Sequence, residues 1–197
     1  MVRHLPFLSL ARKEGLVPKF ILKSDRLLLR PPEVRDVGDI VQGLEWDVVS
    51  NLARAPWPYE PQHAHEFLQR QEEGRAHCTD FAFAVTEKGA DSLIGMCGVH
   101  RREQGFELGY WLAKPHWGRG YATEAAAEVL GFAFRNLRAG VVEAGWFHDN
   151  PASGRVLSKL GFVFAGAEKR ESAARGTRVL CNLVSMRRAD FGRRNAA

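Results

Sequence analysis

Phe106-Glu107-Leu108-Gly109-Tyr110-Trp111-Leu112-Ala113-Lys114-Pro115-His116-Trp117-Gly118-Arg119-Gly120-Tyr121-Ala122-Thr123-Glu124-Ala125 is the stretch on which the fold turns. Its first half, residues 106–113, is rich in aromatic and aliphatic side chains and reads as a strand. Pro115 breaks the pattern, and Gly118-Arg119-Gly120 makes a tight connection. Residues 123–134 then combine alanines with apolar residues at helical spacing. A glycine-containing turn between a strand and a helix lets backbone N–H groups converge on one point. The helix start adds its own unpaired donors and a partial positive charge, which suits a phosphate. The same turn is also compatible with a plain helix entry. A P-loop needs Gly-Lys-Ser/Thr, whereas Gly120 precedes Tyr121-Ala122-Thr123. A dinucleotide fingerprint needs a third glycine where Thr123 stands. Neither nucleotide motif is therefore complete.

Downstream, residues 141–147 read as a strand that ends at Asn150-Pro151-Ala152-Ser153. Asn150 suits a helix cap, Pro151 the first helical position, and Gly161 the stop. Upstream, strands are predicted over 26–30, 81–85 and 92–99, with helices after Asp36 and over 63–73, and a stiff Pro-rich loop over 54–61. Two last strands are predicted at 161–164 and 179–186. The order β-α-α-β-β-β-α-β-α-β-β describes an α/β domain with a mixed sheet. Neighbouring strand ends in such a sheet can splay into a cleft, here between the 106–113 and 141–147 strands.

The chain has 197 residues with a net charge of +5 and a pI near 9.4. That charge sits at the ends. Residues 1–24 carry five bases and one acid, and residues 187–197 four bases and one acid. Of 28 bases and 23 acids, the body therefore keeps 19 and 21, a net of −2. A basic nucleic-acid face on the fold is not indicated. Three widely spaced cysteines, Cys78, Cys97 and Cys181, offer no metal-ligand spacing and point to a reducing cytoplasm. No run is long enough for a membrane span, and the short apolar stretch 5–11, broken by Pro6, does not read as a secretory leader.

Trp117–Ala125, Glu107–Leu112, and Asn150-Pro151-Ala152-Ser153 with Lys159-Leu160-Gly161-Phe162 resemble the GNAT N-acetyltransferases. Arg26-Leu27-Leu28-Leu29-Arg30 and Pro56-Trp57-Pro58-Tyr59 resemble the RimJ/RimL branch, which acetylates ribosomal-protein N-termini and has relatives with other substrates. The resemblance implies a single N-acetyltransferase domain over 24–187, with a basic N-terminal extension (1–23) and a basic C-terminal tail (188–197). It implies a mixed, mostly antiparallel sheet of about six to seven strands, splayed centrally and flanked by about four helices. Acetyl-CoA is the implied co-substrate, with no metal, and an amine the implied acceptor. The pyrophosphate is expected on the backbone of Trp117, Gly118, Arg119, Gly120, Tyr121, Ala122 and Thr123. Pantetheine is expected along Trp111, Leu112 and Ala113, pairing like an added strand, with Asn150 bonding the arm. An N–H near Leu112 would polarise the thioester carbonyl.

For the chemistry, Ser153 matches the serine that this branch places near the coenzyme sulfur, and an exposed helix-start serine is the alternative. Glu107 is the first candidate for the base, with burial expected to raise its pKa, and the alternative is a satisfied strand carboxylate. His148 is the second candidate. Trp46, Trp57 and Tyr59 could line an amine pocket, while Asp47 and Glu60 could draw a cation or stand as solvated charges. The expected function is acetyl transfer from acetyl-CoA to a primary amine, a protein N-terminus or a small molecule, by direct attack in a ternary complex. The competing expectation is an acyl-CoA sensor that does not turn over. Neither nucleic acid nor membrane is an expected partner, and monomer and homodimer both remain open.

Overall fold

In this computed structural model of the protein, residues 19–194 are described. Eight strands form one sheet: β1 Leu22–Lys23, β2 Leu27–Arg30, β3 Asp80–Glu87, β4 Gly95–Arg102, β5 Gly105–Leu112, β6 Val141–Phe147, β7 Val163–Ser172 and β8 Thr177–Arg187. They lie in the order β1-β2-β3-β4-β5-β6-β8-β7. Every pairing is antiparallel except β5–β6. The helix Tyr121–Arg135 makes the crossover that a parallel pair requires.

The helices are α1 Val37–Gly43, α2 Trp46–Val49, α3 Pro61–Ala76, α4 Tyr121–Arg135, α5 Pro151–Leu160 and α6 Arg188–Arg194. On one side of the sheet, Phe106, Leu108 and Leu112 of β5 and Val142 and Ala144 of β6 meet α4 and Leu157 of α5. The helix approaches closely because Ala125, Ala126 and Ala133 face the sheet. Phe132 then sits edge-on to Phe81 and Phe83 at 5.2 and 5.4 Å. On the other side, Ile40, Leu44, Val48 and Ala64 cover Met96 and Trp111.

The mixed, mostly antiparallel sheet is as expected, with eight strands and six helices among the described residues instead of about six to seven and about four. The additions are short: β1 has two residues and α2 four, too few to show a period. Strand β7 runs well past the expected 161–164 because the sheet ends there. Both of its faces meet solvent, so Glu168-Lys169-Arg170-Glu171 carries no alternation. The stretch expected as a C-terminal tail contains α6, whose Phe191 packs on Phe134 at 4.9 Å. Most of the expected N-terminal extension lies outside the described residues, although Leu22 and Lys23 pair with β2. No helix among the described residues is long and apolar enough to cross a membrane.

Candidate active site

The site begins where β5 and β6 part. They pair only through Phe106–Val142 and Glu107–Glu143. Beyond that apex the strand ends diverge, and the α4 and α5 N-termini follow on either side. Ala113 N–H donates to Ile94 O on the β4 side. Antiparallel pairing alternates, so the backbone groups of Leu112 and Tyr110 turn the other way, into the gap. Of the expected pantetheine strand, Leu112 alone offers its backbone to the cleft. Trp111 and Ala113 are committed to β4.

At the mouth stands the glycine turn. Gly118 and Gly120 have φ of 76° and 80°, a left-handed backbone that favours glycine. Gly120 caps α4, and no side chain bonds the first-turn N–H groups. Those donors are the ones a phosphate would take. The turn is braced from behind by Arg26. Its Nη1 donates to Arg119 O at 3.0 Å, its Nε to Glu124 at 2.7 Å, and its guanidinium lies 4.6 Å over the Tyr121 ring. Arg119 itself is half exposed, 3.8 Å from Glu87. Trp117 Nε1 donates to Leu112 O at 2.7 Å, tying the turn to the strand end.

Across the gap, Asn150 Oδ1 accepts from Ser153 N–H at 3.3 Å, the predicted helix cap. That leaves its Nδ2 for a second partner. Tyr110 of β5 reaches over to Ser153 and donates to its carbonyl at 3.1 Å, with the two hydroxyls 2.9 Å apart. Tyr110 has one proton to give. While it donates to the carbonyl, the Ser153 hydroxyl donates to Tyr110. When it donates to Ser153 Oγ, the serine proton is released for another acceptor. Burial pushes the Tyr110 hydroxyl pKa up, so it stays a donor.

Glu107 lies at the apex on the other face, 8 % exposed. The expected rise in its pKa is not found. Burial does push upward, but His100, Arg170 and Arg102 pull it below the usual carboxylate range. Arg170 Nη1 is 2.5 Å from Oε1, and Arg102 Nε is 2.6 Å from Oε2. His100 Nε2 stands 3.4 Å from Oε2 but only 2.7 Å from Arg54 Nη2. A guanidinium has only donors, so the shorter contact makes Nε2 an acceptor. The two arginines are then the main hold on Glu107.

The loop after α2 closes over this face. Ser50 O accepts from Arg175 at 2.6 Å, and Ala53 O accepts from Ala173 N–H at 3.0 Å, so the β7–β8 turn locks onto it. Arg175 also pairs with Asp149 at 2.5 Å. Trp46 and Trp57 meet edge-on at 5.7 Å and remain half exposed, whereas Tyr59 packs inward with its hydroxyl pKa pushed up to about 12 by burial. Asp47 is paired with Lys114, and Glu60 caps α3 with His63. His148 is exposed beyond the end of β6. Among the described residues no His/Cys/Asp/Glu group could hold a metal.

Sequence reasoning did not identify Arg26, Arg54, His100, Arg102, Tyr110 or Arg170 as site residues. Arg26 and Glu124 are 98 positions apart, and Arg170 and Glu107 are 63 apart, so no local pattern joins them.

An acetyltransferase (GNAT) domain model matches residues 26–163. The uncharacterized N-acetyltransferase p20 of Bacillus licheniformis is 26% identical over 177 residues, covering 86% of this chain and 97% of that protein. N-acetyltransferase YoaA of Bacillus subtilis is 27% identical over 169 residues, covering 84% and 96%. Ribosomal-protein-S5-alanine acetyltransferase from Vibrio fischeri superposes with a TM-score of 0.75 at 20% identity, covering 87% of this chain and 98% of that one. Mycobacterium smegmatis RimJ in complex with CoA-disulfide gives 0.72 at 21% identity, covering 86% of each. The matched span, residues 26–163, takes in the glycine turn and the Asn150–Ser153 helix start, and the chain belongs to the GNAT acetyltransferase family as an acetyltransferase enzyme.

Proposed function

We propose that this protein transfers the acetyl group of acetyl-CoA to a primary amine by direct attack in a ternary complex. The observation that carries this reading is the gap between β5 and β6, open beyond Glu107–Glu143 and fronted by a helix start that has no capping side chain and two left-handed glycines before it. The pyrophosphate would rest on N–H groups of residues 118–123, with Arg119 adding charge, since the expected Trp117 N–H is given to Lys114 O at 3.1 Å. Pantetheine would run past Trp111, Leu112 and Ala113, bonding Leu112 and Asn150 Nδ2. The Leu112 N–H would stabilise the oxygen of the thioester as the carbon becomes tetrahedral.

The amine attacks as the neutral base. Its nitrogen bonds the acetyl carbon, the C–S bond breaks, and the surplus amine proton leaves to water in the open acceptor face. Ser153 Oγ–H gives its proton to the departing thiolate while Tyr110 donates to Ser153 Oγ, and water restores the serine proton. Glu107 serves in this scheme as a fixed anion that holds Arg102 and Arg170 in place on the acceptor side.

Release of free thiol from acetyl-CoA, measured with a panel of amines and N-terminal peptides, tests the reading. Ser153→Ala is expected to lower kcat about 100- to 10,000-fold, the range of a lost general acid. Tyr110→Phe should lower it less, and calorimetric affinity for acetyl-CoA should hold in both. Tight coenzyme binding with no turnover on any acceptor would overturn the proposal.

A further inference from the structure

A row of residues crosses the acceptor face in register: His100 opposite Glu107, Glu107 opposite Glu143, and Glu143 opposite Ser185. Residues in register on neighbouring strands share a face. The alternate residues Val142 and Ala144 are buried under the helices, so Glu143 points to the acceptor side. Charge is distributed unevenly along this row. Both oxygens of Glu107 are occupied by guanidinium groups. Glu143 is exposed, and no described residue pairs with it. At the other end, Arg54 rests on the acceptor nitrogen of His100 and has no carboxylate partner among the described residues. An unpaired anion and an unpaired cation therefore face the same space on either side of a neutralised centre.

Building on the acetyl-transfer reading, we propose that the acceptor is an amine that also carries a carboxylate, the carboxylate docking on Arg54 and the amine facing Glu143. A guanidinium freed for a carboxylate gives a charge-assisted, bidentate pair, and Arg54 offers it from the loop that walls the acceptor. His100 and Glu143 stand two strands apart, about 10 Å between backbones. That spacing suits groups several bonds apart, as in a peptide whose second residue is Asp or Glu, better than the adjacent groups of a free α-amino acid. Arriving as an ammonium, the amine is drawn to Glu143, loses one proton to water, and presents its lone pair to the thioester.

The experiment compares kcat/KM for peptide pairs that differ only by Asp against Asn at the second position, with free amino acids as a third arm. The acidic peptide is expected to be preferred about tenfold or more, the scale of one hydrogen bond to a charged group. In Arg54→Gln that ratio should collapse toward one, Arg54→Lys should keep part of it, and affinity for acetyl-CoA should not move. Equal use of Asp and Asn peptides by the unaltered protein, survival of the preference in Arg54→Gln, or better turnover of free amino acids than of either peptide would overturn the inference and leave acetyl transfer standing. Tight coenzyme binding with no acceptor turned over would overturn both.

Discussion

Glu107 is buried yet held ionised, because the guanidinium groups of Arg102 and Arg170 outweigh the cost of its desolvation. Its folded pKa is lowered, so the stability it contributes is present above the ordinary carboxylate range and is lost as pH falls below it. Glu107→Gln should destabilise the protein by about 3 kcal/mol near neutral pH by stranding Arg102 and Arg170. Urea unfolding at pH 7 and at pH 4 checks the sign: the gap between the two proteins should narrow in acid. The sequence pointed to Glu107, but not to its environment. Arg102 lies five residues away on a hairpin and Arg170 on a distant strand, so what decides the carboxylate's behaviour is assembled by the sheet. Ser153 was more legible, since Asn150 caps its helix through a local bond three residues long.

Among the elements, the entry to α4 combines local and remote causes. Gly118 and Gly120 supply the left-handed backbone, and the turn can be read from sequence. A Cβ at Gly118 would meet nothing, and one at Gly120 would come 3.5 Å from Arg26, so substitution strains the backbone more than the packing. Gly120→Ala should cost about 1–2 kcal/mol of strain and tilt the N–H groups. Acetyl-CoA affinity by calorimetry should fall more than that stability loss, measured by urea unfolding, accounts for. Helix α5 was legible at both ends, with Asn150 at its start and Gly161 at φ 89° closing it. Strand β7 was not, because an edge strand exposed on both faces leaves no periodic record.

For the molecule as a whole, the proposed donor side and the proposed acceptor side occupy opposite faces of one sheet and touch at the β5–β6 apex. A coenzyme that bridges β5, α4 and α5 stabilises the folded state by mass action. At a hundredfold excess over Kd that is about 2.7 kcal/mol, a rise in Tm of roughly 5–10 °C for a chain of this size. Differential scanning fluorimetry with and without acetyl-CoA checks it. The mixed sheet and the late helices could be read from period and punctuation. The strand order, which inserts β8 between β6 and β7, could not, since hairpin partners leave no trace of which edge they join.

The β7–β8 hairpin carries Arg170 and Arg175, the side chains that reach Glu107, Asp149 and the loop at Ser50. In sequence it follows every residue of the glycine turn and the Asn150–Ser153 helix start. Changes in the hairpin can therefore accumulate without touching the glycine turn. On the proposed reading, a lineage that edits the hairpin would reshape one wall of the acceptor face while the glycine turn passes on unchanged.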